Sequence, residues 1–356
     1  MYYDKRKNLY IDEIRINGIR KSFSARTKPA LKRKIADYSA EQTAGPLLSS
    51  ALDEWLCSRE GVAEYKTLQS YEVSIKKIKT RFPRTRLKEL TPAMIQAFIR
   101  DLAARGYARS TVQKPLSVLS MLYDYYITLP GTVITSNTCE SVKIPSSAKN
   151  GSRDLMSRKD AATVIESADL PFGLFAYLLM YTGLRKEEAL ALCRSDFTDD
   201  SISITKALSW QTNRPVIKDT KTEHSIRTIP LLKPLAAKLP DWDGYLFSPD
   251  NGKTPLSQTQ FRHKWNQYCK LAGLVDVEET RHGRYVRHKC SNRICPHQLR
   301  HEFASLCLDA GLEPSDTQAF LGHANVSTTL NIYTHIKESR KKKSSEKLEK
   351  YLENTD

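Results

Sequence analysis

A multidomain, mainly α-helical chain with small β-sheets is what this sequence predicts, on three observations. At 356 residues it is too long for a single hydrophobic core. Amphipathic patterns of helical period recur between Leu48 and Leu122 and again from Arg158 onward. Alternation of period two is confined to short stretches, around Asn17-Gly18 and between residues 200 and 231. With 40% hydrophobic and 27% charged residues the composition is that of an ordinary globular protein. The longest apolar run, Phe172–Tyr181, falls well short of the ~20 residues a membrane span requires, so no membrane partner is expected. The start, MYYDKRKNLY, has no apolar segment of signal-peptide type. Seven scattered cysteines, an odd number, fit reduced thiols in a cytoplasm better than a disulfide framework.

The net charge of +16 is unevenly placed. Residues 1–45 carry eleven Lys/Arg against five Asp/Glu, and residues 46–150 fifteen against nine, so twelve of the sixteen excess charges precede residue 151. A polyanion is the partner this implies, with nucleic acid first among the candidates.

In chain order, LYIDEIRINGIRKSFS (9–24) alternates around Asn17-Gly18, a two-residue hairpin signal, and a basic helix follows from about Lys28 to Gln42. A sheet plus one helix of this size has little core of its own, and its basic surface points to DNA. Four helical patterns come next. Leu48, Leu52, Trp55 and Leu56 share one face, and Leu68, Tyr71, Ile75 and Ile78 another. The third is the clearest: Thr91 caps, Pro92 takes the first turn, Met94, Ile95, Phe98, Ile99 and Leu102 face inward, and Gly106 stops it. The fourth starts near Ser110 and buries Leu116, Leu119 and Leu122. Residues 129–153, rich in Ser, Thr, Pro and Gly, show no lasting period and read as a linker. Beyond it, helices are predicted at Arg158–Ala168, Phe172–Tyr181, Ser257–Ala272, Pro296–Ala310, Ser315–Gly322 and Ser327–Tyr333, with one small antiparallel sheet within 200–231. The boundaries are therefore 1–45, 46–135, a linker 136–153, a domain 154–336 and a tail 337–356.

Four stretches carry chemistry: TGLRKEEALAL (182–192), TKTEHSIRTIPL (220–231), HQLRHEFAS (297–305) and LGHANVSTTLNIYTH (321–335). On a helix, His297, Arg300 and His301 fall at i, i+3 and i+4 and share a face, which is costly unless an anion is met there. In order and spacing the four together resemble the tyrosine recombinase, or phage integrase, family, in particular integrases of phages and conjugative transposons. The resemblance implies that Arg185 and Arg300 clamp a DNA phosphate, with Glu188 supporting Arg185. It further implies that Lys221 is the general acid, that His297 is a base or phosphate ligand, and that His323 donates to the phosphate. Tyr333 is the implied nucleophile. It implies no metal and no cofactor.

For the whole chain the resemblance implies an arm-type DNA-binding module (1–45), a helical core-DNA-binding bundle and a mixed α/β catalytic domain. The tail would dock in trans around a homotetramer on double-stranded DNA with core and arm sites. The implied activity is site-specific recombination by the integrase of a mobile genetic element, bacterial and nucleoid-associated, assisted by a DNA-bending host factor and an excision factor. Type IB topoisomerase-like relaxation and an inactive DNA-binding regulator are the alternatives. The stretch 274–296 reads as an inserted basic β-hairpin near DNA. It contains His282, His288, Cys290 and Cys295, in a spacing that matches no common zinc pattern.

Overall fold

The computed structural model of the chain describes residues 1–16, 19–150, 156–219, 226–282 and 285–322. It divides into two compact units, Met1–Ser152 and Arg153–Asp356.

The first unit opens with a three-stranded antiparallel sheet of β1 (Tyr2–Asp4), β2 (Leu9–Ile16) and β3 (Ile19–Ala25), in that spatial order. β2 and β3 pair from Tyr10↔Ala25 to Ile16↔Ile19, the register of a two-residue loop. The loop itself, Asn17-Gly18, lies outside the described residues. β1, which no alternation announces, is added on the other edge of β2 with the Tyr3 ring 4.8 Å from that of Tyr10. Helix α1 (Lys28–Ala44) starts at Thr27, whose hydroxyl accepts from the Ala30 N–H at 3.3 Å. It packs on β2 and β3 through buried Leu31, and through Tyr38, whose ring is 5.1 Å from that of Phe23. So small a core needs help, and Arg86 supplies it by donating to Gly45 O at 2.9 Å and Asp37 O at 3.2 Å.

Helices α2 (Leu48–Arg59), α3 (Tyr65–Arg81), α4 (Pro92–Ala104) and α5 (Arg109–Ile127) then form a bundle around Leu52, Trp55, Ile78, Ile95, Ile99 and Leu119. α4 follows its sequence signals: Thr91 Oγ1 accepts from Met94 N, and Gly106 lies just beyond the helix at φ +80°. Only Met94 of the predicted inward set stays at the margin of the core. Residues 136–150, read as linker, indeed lack helix and strand, yet Cys139, Val142 and Ala148 are buried on the bundle. Asn137 Nδ2 donates to Ser120 Oγ (2.9 Å) and Asp124 Oδ1 (2.7 Å). The Gln96 amide holds the Lys143 backbone in both directions. Missing periodicity here means irregular backbone and not a missing core.

In the second unit α6 (Arg158–Glu166), α7 (Gly173–Thr182) and the short α8 (Lys186–Ala189) precede β4 (Ser201–Ile204), β5 (Lys206–Gln211), β6 (Arg214–Asp219) and β7 (Arg227–Pro230). Next come α9 (Lys233–Ala236), α10 (Gln258–Leu271), β8 (Val275–His282), β9 (Tyr285–Asn292), α11 (Pro296–Asp309) and α12 (Pro314–Leu321). α7 reads as apolar all round because it is buried nearly all round. The single sheet expected within 200–231 resolves into two ladders, β4 with β7 and β5 with β6. Where the sequence shows a break, the chain turns through Thr212 and Asn213, both at positive φ, as a two-residue hairpin requires. The stretch 274–296 does form an antiparallel hairpin, β8 with β9. Arg293 clamps its root, reaching Asp160 Oδ1 on α6 (3.0 Å), Gly273 O (2.8 Å) and Val275 O (3.2 Å). Among the described residues no helix is long and apolar enough to cross a membrane.

Candidate active site

The site begins at a turn. Gly183 ends α7 in the left-handed region (φ +66°) with its N–H on Leu179 O at 2.9 Å. A Cβ there would run into the Phe303 ring and Leu321, so only glycine allows the chain to reverse so close to α11 and α12. The reversal places Arg185 just ahead of α8, and Glu188 folds back onto it. Glu188 Oε2 accepts from Arg185 N at 2.9 Å and Oε1 from Arg185 Nη1 at 2.7 Å. Glu187 instead lies 3.7 Å from Lys186, so Glu188 is the acid that meets Arg185.

The same carboxylate, only 2% exposed, receives a second guanidinium from β7. Arg227 Nη2 donates to Glu188 Oε2 at 2.8 Å and Nη1 to Oε1 at 3.3 Å. A third, Arg300 of α11, stands with Nη1 4.0 Å from Oε2. Each of the three also caps the end of α12. Arg227 Nε donates to Phe320 O (2.8 Å), Arg300 Nη2 to Leu321 O (2.6 Å) and Arg185 Nη2 to Gly322 O (3.1 Å). Arg300 Nη1 meanwhile donates to Gly183 O at 2.7 Å. The cations thus sit at the carbonyl ends of α7 and α12, where helix dipoles favour positive charge.

One buried carboxylate does not neutralise three guanidiniums. Burial would raise the Glu188 carboxyl, but the hydrogen bond and charge of Arg227, then the charge of Arg185, hold it below its ordinary value. Burial, then the like charge of Arg185, pushes the Arg300 guanidinium down to about 9, with Glu188 opposing and Arg227 adding to the shift. It stays charged at neutral pH. A cluster in this condition is short of negative charge and suits an anionic ligand. The place for one is a cleft of about 410 Å³ lined by Arg185, Lys186, Glu187, Cys295 and His297. His297 is exposed on the first turn of α11, its ring 4.5 Å from and nearly perpendicular to that of His301. The Arg185 side chain is 39% exposed, whereas those of Arg227 and Arg300 are nearly enclosed.

Residues 153–340 match the model of the phage integrase family, and residues 52–128 match that of the phage integrase N-terminal SAM-like domain. The chain belongs to the phage integrase family. This is the family of tyrosine recombinases, and the fold is theirs. The ICEBs1 integrase of Bacillus subtilis is 23% identical over 345 residues, covering 90% of this chain and 88% of that protein. The tyrosine recombinase XerD of Haemophilus ducreyi is 26% identical over 319 residues, 83% of this chain and 95% of that one. Among solved structures, the Tn1549 transposon integrase in complex with transposon right end DNA superposes with a TM-score of 0.66 at 17% identity, over 85% of this chain and 99% of the other. A lambda integrase tetramer bound to a Holliday junction gives 0.58 at 19%, over 93% and 96%.

Of the site residues expected for this integrase-family chain, Arg185, Glu188 and Arg300 stand together, and His297 shares the cleft with Arg185. Lys221, His323 and Tyr333 lie outside the described residues, as does the tail. Cys290 and Cys295 are exposed, and among the described residues no group of three or more His, Cys, Asp or Glu stands close enough to hold a metal. The residue that sequence reasoning missed is Arg227. Its signal is the alternation in RTIP (227–230), which puts an arginine on the same strand face as buried Ile229.

Glu188→Ala should destabilise the protein by about 3–5 kcal/mol, because it leaves buried guanidiniums unpaired. A group with a depressed folded-state pKa stabilises above the ordinary carboxylate range and stops doing so as pH falls through its folded value. Denaturant unfolding of both proteins should therefore show a gap that is full at neutral pH and closes in acid. A gap independent of pH would mean that the carboxylate charge is not what holds the cluster.

Proposed function

We propose that this recombinase is the integrase of a mobile genetic element, cutting and rejoining double-stranded DNA through a 3′-phosphotyrosyl intermediate and a Holliday junction. The observation that carries the reading is the buried Glu188 shared by several arginines beside a cationic cleft. In a phosphodiester the non-bridging oxygens gain charge in the transition state, and Arg185 and Arg300 answer it with preorganised N–H donors. Tyr333 gives its phenolic proton to His297 as base and attacks phosphorus, the bond to the 5′ oxygen breaks, and Lys221 gives that oxygen its proton. His323 donates to the phosphate, and His297, a base or a phosphate ligand, stands beside it. The energy of the broken backbone bond stays in the phosphotyrosyl ester, and a 5′ hydroxyl of the partner strand attacks it to restore the phosphodiester. No nucleotide is consumed.

The wider assignments follow the same reading. The basic module 1–45 binds arm-type sites and the bundle of α2–α5 binds the core site. Four subunits assemble on DNA, with a host DNA-bending protein and an excision factor, in the bacterial cytoplasm. The organisms of the relatives, the basic amino-terminal half and the sheet-plus-helix module support this. The tail 337–356 carries Leu348, Tyr351 and Leu352 at i, i+3 and i+4, a stripe too short to be a stable helix without a surface to lie on. An apolar groove of about 400 Å³, walled by Ile165, Met180, Leu232, Phe303, Leu306 and Leu312, offers a neighbouring subunit such a surface.

Tyr333→Phe should abolish the covalent adduct on a suicide substrate nicked beside the cleavage point while DNA binding persists; a normal adduct would place the nucleophile elsewhere. Arg185→Ala and Arg300→Ala should each raise the cleavage barrier by about 3 kcal/mol, read as single-turnover adduct formation.

Truncations separate the ends. Loss of residues 1–45 should spare core-site cleavage but reduce integration, since tethering raises local concentration at paired sites. Loss of residues 338–356 should weaken tetramer formation on DNA in sedimentation. Gel shifts in which arm DNA is bound equally well without residues 1–45 would remove the first role, and unchanged assembly the second.

A further inference from the structure

Arg227 has no role among the residues expected from the motifs, yet it is a nearly enclosed link between Glu188 and the end of α12. Its side chain is 7% exposed. Two terminal nitrogens meet the Glu188 carboxylate and Nε meets Phe320 O, so three directions of a rigid planar fork are committed. Gly322 lies against the same group: a Cβ there would be 2.9 Å from Arg227 Nη1 and 3.2 Å from Cζ. Neither Arg227 nor Arg300 lines the cleft beside Arg185 and His297, but all three guanidinium nitrogens of Arg227 are already hydrogen-bonded.

We propose that Arg227 is a positioning residue for DNA cleavage, holding Glu188 against Arg185 and the last turn of α12 in register without itself touching the phosphate. The inference rests on the recombinase reading of this site. Without Arg227, Glu188 would lose the partner that does most to keep it ionised. It would then take a proton or turn to Arg300, now 4.0 Å away, and in either case Arg185 loses its support. Phe320 O would lose its donor, and Gly322 the flat surface it packs on. Tyr333 follows Gly322 by eleven residues, so a shift at Gly322 moves the root of the segment that carries the nucleophile. A lysine at 227 restores a charge for Glu188. Its single ammonium lacks the planar fork that reaches carboxylate and Phe320 O together.

The test uses the full-length protein and a duplex with its own crossover site, nicked beside the cleavage point. Equilibrium DNA binding and single-turnover adduct formation are measured, on the natural phosphate and on a scissile methylphosphonate that carries no charge. For Arg227→Met the expectation is unchanged binding and cleavage slowed on the order of a hundredfold, the scale of a small misplacement of reacting groups. Arg227→Lys should fall between. The methylphosphonate should relieve part of the Arg185→Ala defect, because it removes the charge that Arg185 answers, and a smaller part of the Arg227→Met defect, because the loss of the Phe320 O bond at the end of α12 remains. Cleavage by Arg227→Met at the normal rate overturns the proposal. Relief of its defect on the methylphosphonate to the same degree as for Arg185→Ala also overturns it, since Arg227 would then be a phosphate ligand. If thermal unfolding shows that the Met variant does not fold, Arg227→Lys and Gly322→Ala decide. The latter presses on the same guanidinium from the other side, and normal rates from both, folded, overturn the proposal. An unaltered protein that forms no adduct at all would instead sink the recombinase reading.

Discussion

The carboxylate of Glu188 is the group on which the catalytic unit depends. Like charges in contact at a partly buried site repel by several kcal/mol, so Arg227 and Arg300 cannot be enclosed beside Arg185 without a counter-charge. Glu188 supplies one, and α7 and α12 add carbonyl dipoles at Gly183, Phe320, Leu321 and Gly322. The glycines at 183 and 322 matter for the same reason. Each turns the chain in the left-handed region while leaving a carbonyl pointed at an arginine; a Cβ at Gly183 would run into Phe303, and one at Gly322 would press on the Arg227 guanidinium. Electrostatics and backbone geometry are one constraint here: the turns exist where the cations need acceptors.

This coupling explains what could be read from the sequence and what could not. α4 and the β2–β3 hairpin follow from chemistry within a few residues, Thr91-Pro92 and Gly106 in one case and Asn17-Gly18 in the other. The Arg185–Glu188 pair is equally local, three residues apart across one tight turn. Arg227 was different. Its partners Glu188 and Phe320 lie 39 and 93 residues away, and the alternation in RTIP marks the inward face it lies on but not what it pairs with. Residues 136–150 were misjudged in the same way. Cys139, Val142 and Ala148 contribute to the bundle's core from a stretch whose backbone has no period for a pattern to follow. β1, at three residues with two exposed, was too short to carry a pattern.

The β8–β9 hairpin shows the opposite balance. Its strands are long and regular, and Val277 and Cys290, paired across the ladder, are both exposed. A two-stranded ribbon is marginal in water and must be fixed at its base. Arg293 does this with one guanidinium shared between Asp160 and two carbonyls of the strand's approach, and Asn292 adds a bond to Asn266 on α10. The anchor is local to the second unit's core.

The arginine cluster has one more consequence for how its three members divide the labour. Burial and like charge weaken Arg300's hold on its proton, while carbonyls occupy both of its terminal nitrogens. Arg227 is spent on Glu188 and α12. Arg185 alone combines a firm partner in Glu188 with substantial exposure to the cleft. An anion entering there meets Arg185 first, and its charge then relieves the repulsion that depresses Arg300. The three arginines thus differ in what they have left to offer: Arg185 faces the cleft, while Arg227 and Arg300 are held by Glu188 and by the carbonyl ends of α7 and α12.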